Sequence, residues 1–229
     1  MKHDSSSRAL RRDVVFAGSA TDPAQFPTDR LPEVAFLGRS NVGKSSLLNA
    51  LAGTRGLARV SGAPGRTRLV NFFRMSGVAK PGGRGRGELY FVDLPGYGYA
   101  KASREVRESF ERIAVSYLLG REPLRLCVFI VDARHDPGDG DLKLRAWLDH
   151  HALPWALAVN KIDALSKAEA RARMAALAAG LGQTASCVLP VSAERGTGVE
   201  ELWNTIRGAA FAAPLPGDAV LATRGPDGR

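Results

Sequence analysis

At 229 residues the chain is long enough for one well-cored α/β domain with tails, and too short for two ordinary domains. It has no apolar run long enough to span a bilayer, and MKHDSSSRALRR at its start lacks the apolar core of a secretory signal, so a cytoplasmic protein is expected. A net charge of +9 points to a polyanionic partner, RNA first, unless the arginine-rich composition merely follows genomic base content.

Residues 1–12 read as a disordered basic tail, and the Pro/Gly-rich stretch 212–229 as a second one. Between them apolar runs predict strands at 34–38, 68–75, 88–92, 125–131, 155–159 and 187–191. Helical patterns fall at 44–52, 103–119, 140–150, 167–179 and 198–210. This alternation predicts an α/β domain over 13–211, a mixed, mostly parallel six-stranded sheet with helices on both faces. The strands at 68–75 and 88–92 are too close for a helical crossover and should form an antiparallel hairpin with a mobile connection. Cys127 and Cys187 lie in apolar runs and read as small core residues, and the four histidines show no metal-ligand spacing.

The first strand runs into Gly38, Arg39, Ser40, Asn41, Val42, Gly43, Lys44 and Ser45, with Ser46 next and a helix following. This is G-x-x-x-x-G-K-[ST] in a strand–loop–helix setting, the loop that cradles phosphates. Gly38 and Gly43 let backbone N–H groups turn towards phosphate oxygens, and the helix N-terminus adds positive potential. Lys44 can reach the outer phosphates, and the Ser45 hydroxyl can hold Mg2+.

Residues 55–68 carry Arg55, Arg59, Arg66 and Arg68 without a carboxylate, and Lys80, Arg84 and Arg86 follow in 80–86. Such clustering favours a functional basic surface. Within that loop Gly65, Arg66 and Thr67 precede the second strand. Thr67 can close over Mg2+ when a γ-phosphate is bound, or can be an ordinary turn threonine.

Asp93, Leu94, Pro95 and Gly96 follow an apolar strand, placing a carboxylate to reach Mg2+ through water and an N–H to sense the γ-phosphate. Asn160, Lys161, Ile162 and Asp163 end a later strand. Asp163 can accept two hydrogen bonds from guanine, where adenine offers no such pair of donors, so GTP and GDP are the expected ligands. Lys161 can lie along the base and Asn160 can join neighbouring loops. Val191, Ser192 and Ala193 end the last strand, where the Ala193 N–H can meet the guanine oxygen.

Together these motifs resemble bacterial ribosome-assembly GTPases of the EngB (YihA/YsxC) family, in the TrmE–Era–EngA–YihA-Septin-like class. Residues 31–36 leading into GRSNVGKSSLLNAL, PGRTR before Asn71-Phe72-Phe73, DLPGYGYAK at 93–101 and VDARH at 131–135 carry the likeness. The chain departs from it with Asn160-Lys161 where Thr-Lys is usual, and with a Gly/Arg-rich 77–87 connection. The resemblance implies a Ras-like fold, GTP hydrolysis, and action on large ribosomal subunit precursors and their rRNA, with septation and cell division depending on ribosome supply; a monomer is expected. It also implies that K+ can assist through Asn41, which otherwise shapes the loop. With Tyr97 where many GTPases place a water-orienting glutamine, slow turnover is expected, with Lys44, Asn41 and Thr67 as the catalytic set.

Overall fold

Residues 33–38 form β2 (Glu33–Gly38), buried at every position, as expected of a parallel strand covered on both faces. The computed structural model describes residues 13–54, 56–57, 69–97, 104–184 and 187–212, and for 104–110 the backbone alone. The other strands are β1 (Asp13–Ala20), β3 (Val70–Ala79), β4 (Arg86–Asp93), β5 (Leu124–Asp132), β6 (Trp155–Asn160) and β7 (Val188–Pro190). Their order across the sheet is β1-β3-β4-β2-β5-β6-β7. From β4 to β7 all pairings are parallel, while β1–β3 and β3–β4 are antiparallel.

Alternate residues of β2 face opposite layers. Val34 and Phe36 join the cluster with Leu47, Leu48 and Leu51 of α1 (Lys44–Ala52) and Trp203 and Ile206 of α5 (Val199–Ala210). Ala35 and Leu37 belong to the other, with Tyr117 of α2 (Arg104–Gly120), Leu148 of α3 (Asp139–His150) and Leu177 of α4 (Lys167–Gly180). Two helices therefore cover one face and three the other.

The sheet has seven strands where the sequence predicts six. The additional β1 is mostly exposed, and a register shift between Phe16 and Gly18 interrupts it, so no clean two-residue alternation marks it. Backbone pairing with β3 and the Phe16 ring, 5.6 Å from that of Phe73, hold it at the edge. The antiparallel hairpin forms as its spacing requires, and its connection, expected to be mobile, is closed by a hydrogen bond. The Lys80 N–H donates to the Gly85 carbonyl (2.9 Å) around a 3-10 turn at Pro81–Gly83. Cys127 is buried, and burial pushes its thiol up to about 12; Cys187, expected in the core, is exposed just before β7. The disorder expected for 1–12 and 212–229 falls outside the described residues, Ala212 excepted.

At the end of the sheet remote from the motifs, Glu33 is fully buried. Its carboxylate accepts from the Tyr117 hydroxyl at 2.7 Å and from Arg121 Nε at 3.1 Å, and Arg121 also reaches the Pro27 carbonyl at 2.8 Å. Burial first, and then the Glu33 charge, raise the Tyr117 phenol well above its ordinary value. The cluster ties the end of α2 to the start of β2. Removing one partner of a buried pair strands the other charge, so Glu33→Ala should cost about 3 kcal/mol. Tyr117→Phe, which loses one hydrogen bond, should cost about 1 kcal/mol. Urea denaturation at fixed nucleotide concentration measures both.

Candidate nucleotide site

The motif segments meet at the carboxyl ends of β2, β4, β6 and the turn after β7, where open α/β sheets bind ligands. Close packing explains the glycines of the first loop. A Cβ on Gly38 would lie 2.8 Å from the Ile130 carbonyl oxygen, and one on Gly43 (φ 93°) would lie 2.5 Å from Asn160 Nδ2. Asn41 also has positive φ, 69°. Ser45 and Ser46 fall in the first turn of α1, half-buried. Ser46 shares a cavity of about 460 Å3 with Asn49, Thr54 and Ala193.

Asn160 is 1% exposed and joins two loops. Its Nδ2 donates to the Val42 carbonyl at 3.0 Å, and its Oδ1 accepts from the Ala193 N–H at 3.2 Å. The Ala193 N–H, expected to face the guanine oxygen, is thus engaged by Asn160. Lys161, at φ 66°, donates from Nζ to the Asn41 carbonyl at 2.6 Å. Asp163 is exposed in the 3-10 turn Ile162–Ala164. Val191 and Ser192 are buried, and Ser192 Oγ accepts from the Arg195 N–H at 3.0 Å.

Asp93 and Lys44, 3% and 8% exposed, form an ion pair with each other. The expected roles turn Lys44 to phosphate and Asp93 to a metal-bound water; here each neutralises the other, since an unpaired buried charge is costly. No group of three or more His, Cys, Asp or Glu residues able to hold a metal occurs among the described residues. One carboxylate and one hydroxyl, Asp93 and Ser45, nevertheless fit Mg2+, which ordinarily takes one or two protein oxygens and completes its shell with water and phosphate. Gly65, Arg66 and Thr67 lie outside the described residues, as do Arg55, Arg59 and Arg68.

Leu94, Pro95 and Gly96 are buried, and Gly96 packs on the first loop. A Cβ on Gly96 would meet the Gly38 carbonyl oxygen at 3.2 Å. Tyr97 is clamped at both ends. Its carbonyl accepts from the Ser40 N–H at 3.1 Å, and its hydroxyl donates to Asp141 Oδ1 at 2.6 Å. Burial, then this hydrogen bond, raise the phenol far above its ordinary value. Asp141 also accepts from the Gly138 N–H at 2.8 Å and has Arg39 at 3.9 Å.

The motif reading assigns no role to Asp132 or Asp141. Asp132 ends β5 beside a cavity of about 220 Å3 shared with Asn41, Val42 and Arg134. It binds Lys161 Nζ at 2.9 Å and Arg134 Nε and NH2 at 2.9 and 2.8 Å. Burial opposes its charge, but hydrogen bonds from Arg134 and Lys161 prevail and hold the carboxyl well below the usual range. An acid closing an apolar strand, as in the Asp93 motif, was the available signal; Asp141, a helix-cap residue by pattern, offers none.

A carboxyl depressed in the folded state contributes above its unfolded pKa, and that contribution is lost only as pH falls through the folded value. Asp132 therefore stays charged throughout pH 5–8. Asp132→Asn, which leaves Lys161 held by the Asn41 carbonyl, should weaken nucleotide affinity about tenfold, by an equal factor at pH 5.5 and pH 8. Calorimetric titration checks both the weakening and its pH independence.

Comparison with known proteins agrees with this geometry. A family model described as "50S ribosome-binding GTPase" matches residues 33–161. A probable GTP-binding protein EngB of Anaeromyxobacter sp. (strain Fw109-5) is 45% identical over 206 residues, 89% of this chain and 95% of the relative. One from Pelobacter propionicus is 42% identical, covering 83% and 90%. The crystal structure of a probable GTP-binding protein EngB superposes with TM-score 0.61 at 23% identity, over 79% of this chain and 99% of that one, a likeness of fold. A variant of Aquifex aeolicus Era bound to GDP.AlF4- gives 0.64 at 26% identity, over 82% and 60%. The fold is that of Ras-like P-loop GTPases, and the chain belongs to the EngB family of GTP-binding proteins.

Proposed function

We propose that this GTPase is a nucleotide-controlled switch in assembly of the large ribosomal subunit, acting as a cytoplasmic monomer, with septation and cell division depending on it through ribosome supply. The carrying observation for the nucleotide site is the Asn160 bridge, which sets the phosphate loop beside the base-reading turn. The ribosomal part is supported by the description of the matching family model and by the +9 charge. Among the described residues no helix is long and apolar enough to cross a membrane.

In this reading the N–H groups of 38–46 cradle the phosphates, with Arg39, Ser40, Asn41 and Val42 forming the loop and Lys44 turning to the outer oxygens. Ser45, Thr67 and, through water, Asp93 would hold Mg2+, which neutralises charge on the β- and γ-phosphates. Gly65 and Arg66 lead into Thr67, while Leu94, Pro95 and Gly96 follow the γ-phosphate. Asp163 reads guanine, Lys161 lies along it, and the 191–193 turn closes the far side. Water attacks the γ-phosphate of GTP to leave GDP and phosphate.

The proton of the Tyr97 hydroxyl is donated to Asp141 and is not available to an attacking water. That supports slow intrinsic turnover, ~10⁻⁴ to 10⁻² per second as in unassisted GTPases. The same observation favours a second reading, in which occupancy alone controls assembly. Phosphate release over many turnovers, with and without large-subunit particles, separates the two. Faster hydrolysis in K+ than in Na+ at equal ionic strength, abolished in Asn41→Ala, would support K+ at Asn41; indifference to the cation leaves Asn41 a loop-shaping residue.

Asp163→Asn should shift preference from guanine to xanthine nucleotides by at least tenfold, because an amide can donate where the carboxylate accepted. Competition binding with GDP and XDP checks this, and an unchanged preference for GDP would remove Asp163 from the site.

A further inference from the structure

We propose that the β3–β4 turn is a second docking surface for RNA phosphates, at the pole opposite the nucleotide and independent of nucleotide state. The inference rests on the reading of ribosomal RNA as the partner and names a surface for it. β4 runs from Arg86 to Asp93. At about 3.3 Å per residue the turn lies roughly 23 Å from the phosphate-facing end.

The turn is fixed in place. Lys80 stands 5.6 Å from the Phe211 ring at the end of α5, and a Cβ on Gly87 would meet that ring at 2.7 Å. Arg84 and Arg86 project from this base, exposed, and among the described residues neither has a carboxylate in ion-pair contact. The nearest acid in sequence, Glu88, is engaged by Arg74 at 2.5 Å and by the Ser76 hydroxyl at 2.6 Å. Gly82, Gly83 and Gly85 all have positive φ, and a Cβ on any of them would meet nothing within 4 Å. The backbone between the two guanidinium groups is therefore open to close approach by a bulky polyanion.

This chemistry selects among partners. Arginine forks match phosphate oxygens in bidentate fashion. A protein interface draws its energy from buried aromatic or apolar anchors, and none of the exposed large hydrophobic residues lies in 80–86. A lipid surface takes four to eight clustered basic residues, as a rule, for firm attachment. A few cations on a rigid glycine turn fit the sugar-phosphate backbone of a folded RNA.

The test uses the full chain, loaded with GDP or a non-hydrolysable GTP analogue, and a fluorescein-labelled RNA stem–loop titrated by anisotropy from 50 to 200 mM KCl. The Arg84→Ala/Arg86→Ala variant should bind about tenfold more weakly in both nucleotide states. Its plot of log affinity against log salt should be shallower by up to two units, one for each phosphate left without its arginine. Arg84→Lys/Arg86→Lys should retain the salt slope, and GDP affinity and melting temperature should match the wild type throughout. Wild-type affinity and slope in the alanine variant would overturn the proposal, as would absence of RNA binding by the wild type. Phosphatidylglycerol vesicles displacing the RNA through these arginines would overturn it too. If instead the wild type fails to bind large-subunit precursors in either nucleotide state, the switch reading falls on its own, whatever the turn does.

Discussion

The side-chain amide of Asn160 is buried with both ends satisfied, and the geometry of the nucleotide-facing loops follows from it. Its NH2 group holds the Val42 carbonyl and its oxygen holds the Ala193 N–H, so segments far apart in sequence are fixed by one planar group. Burying an amide unpaired would cost a few kcal/mol, which makes the arrangement hard to relax. The same packing excludes any side chain at residue 43, since a Cβ there would collide with Asn160 Nδ2. Gly43 and Asn160 thus belong to one steric constraint.

Around that bridge the charged groups are arranged in pairs. Lys44 meets Asp93, Lys161 meets Asp132, and Arg134 completes the Asp132 carboxylate. Lys44, at the start of α1, thereby joins the end of β4, and Lys161, after β6, joins the end of β5. Pairing of this kind adds little stability in itself, because desolvation cancels most of the attraction, but it dictates where each side chain rests. Lys44 and Asp93 are poised differently from Lys161. Their partners are each other, so in the proposed role a polyphosphate entering with its cation would replace an internal pair with two external ones. Lys161 already donates to the Asn41 carbonyl.

The β3–β4 hairpin gives the molecule two ends of different character. At one end lie the start of β3 at Val70 and Asp93, which the buried Leu94, Pro95 and Gly96 follow. At the other, a glycine turn rests on Phe211 and carries exposed arginines. A rigid antiparallel pair, broadened by β1, separates them. In the proposed function, contacts at the far end would hold a partner while the near end changes with the nucleotide.

The phosphate loop, the Asp93 and Asp163 motifs and the alternation of strands and helices were legible because each depends on local spelling. Glycines are spaced for a turn, acids close apolar runs, and periodicity changes from strand to helix. The central strand was legible for the same reason, as an unbroken apolar run. β1 was not, because an edge strand exposed on both sides leaves little periodic trace and exists through its pairing with β3. Nor was the packing of the hairpin turn, which rests on Phe211 from the far end of the chain. Asp132 falls within the 131–135 likeness but carries no role there, Asp141 falls in none of the motifs, and their partners come from other segments: Lys161 for one, Tyr97 and Arg39 for the other. Local backbone chemistry determined where the glycine turns and the strand-closing acids fall; the packing of distant segments decided which charges hold them still, since a carboxylate's partner is chosen by proximity in space.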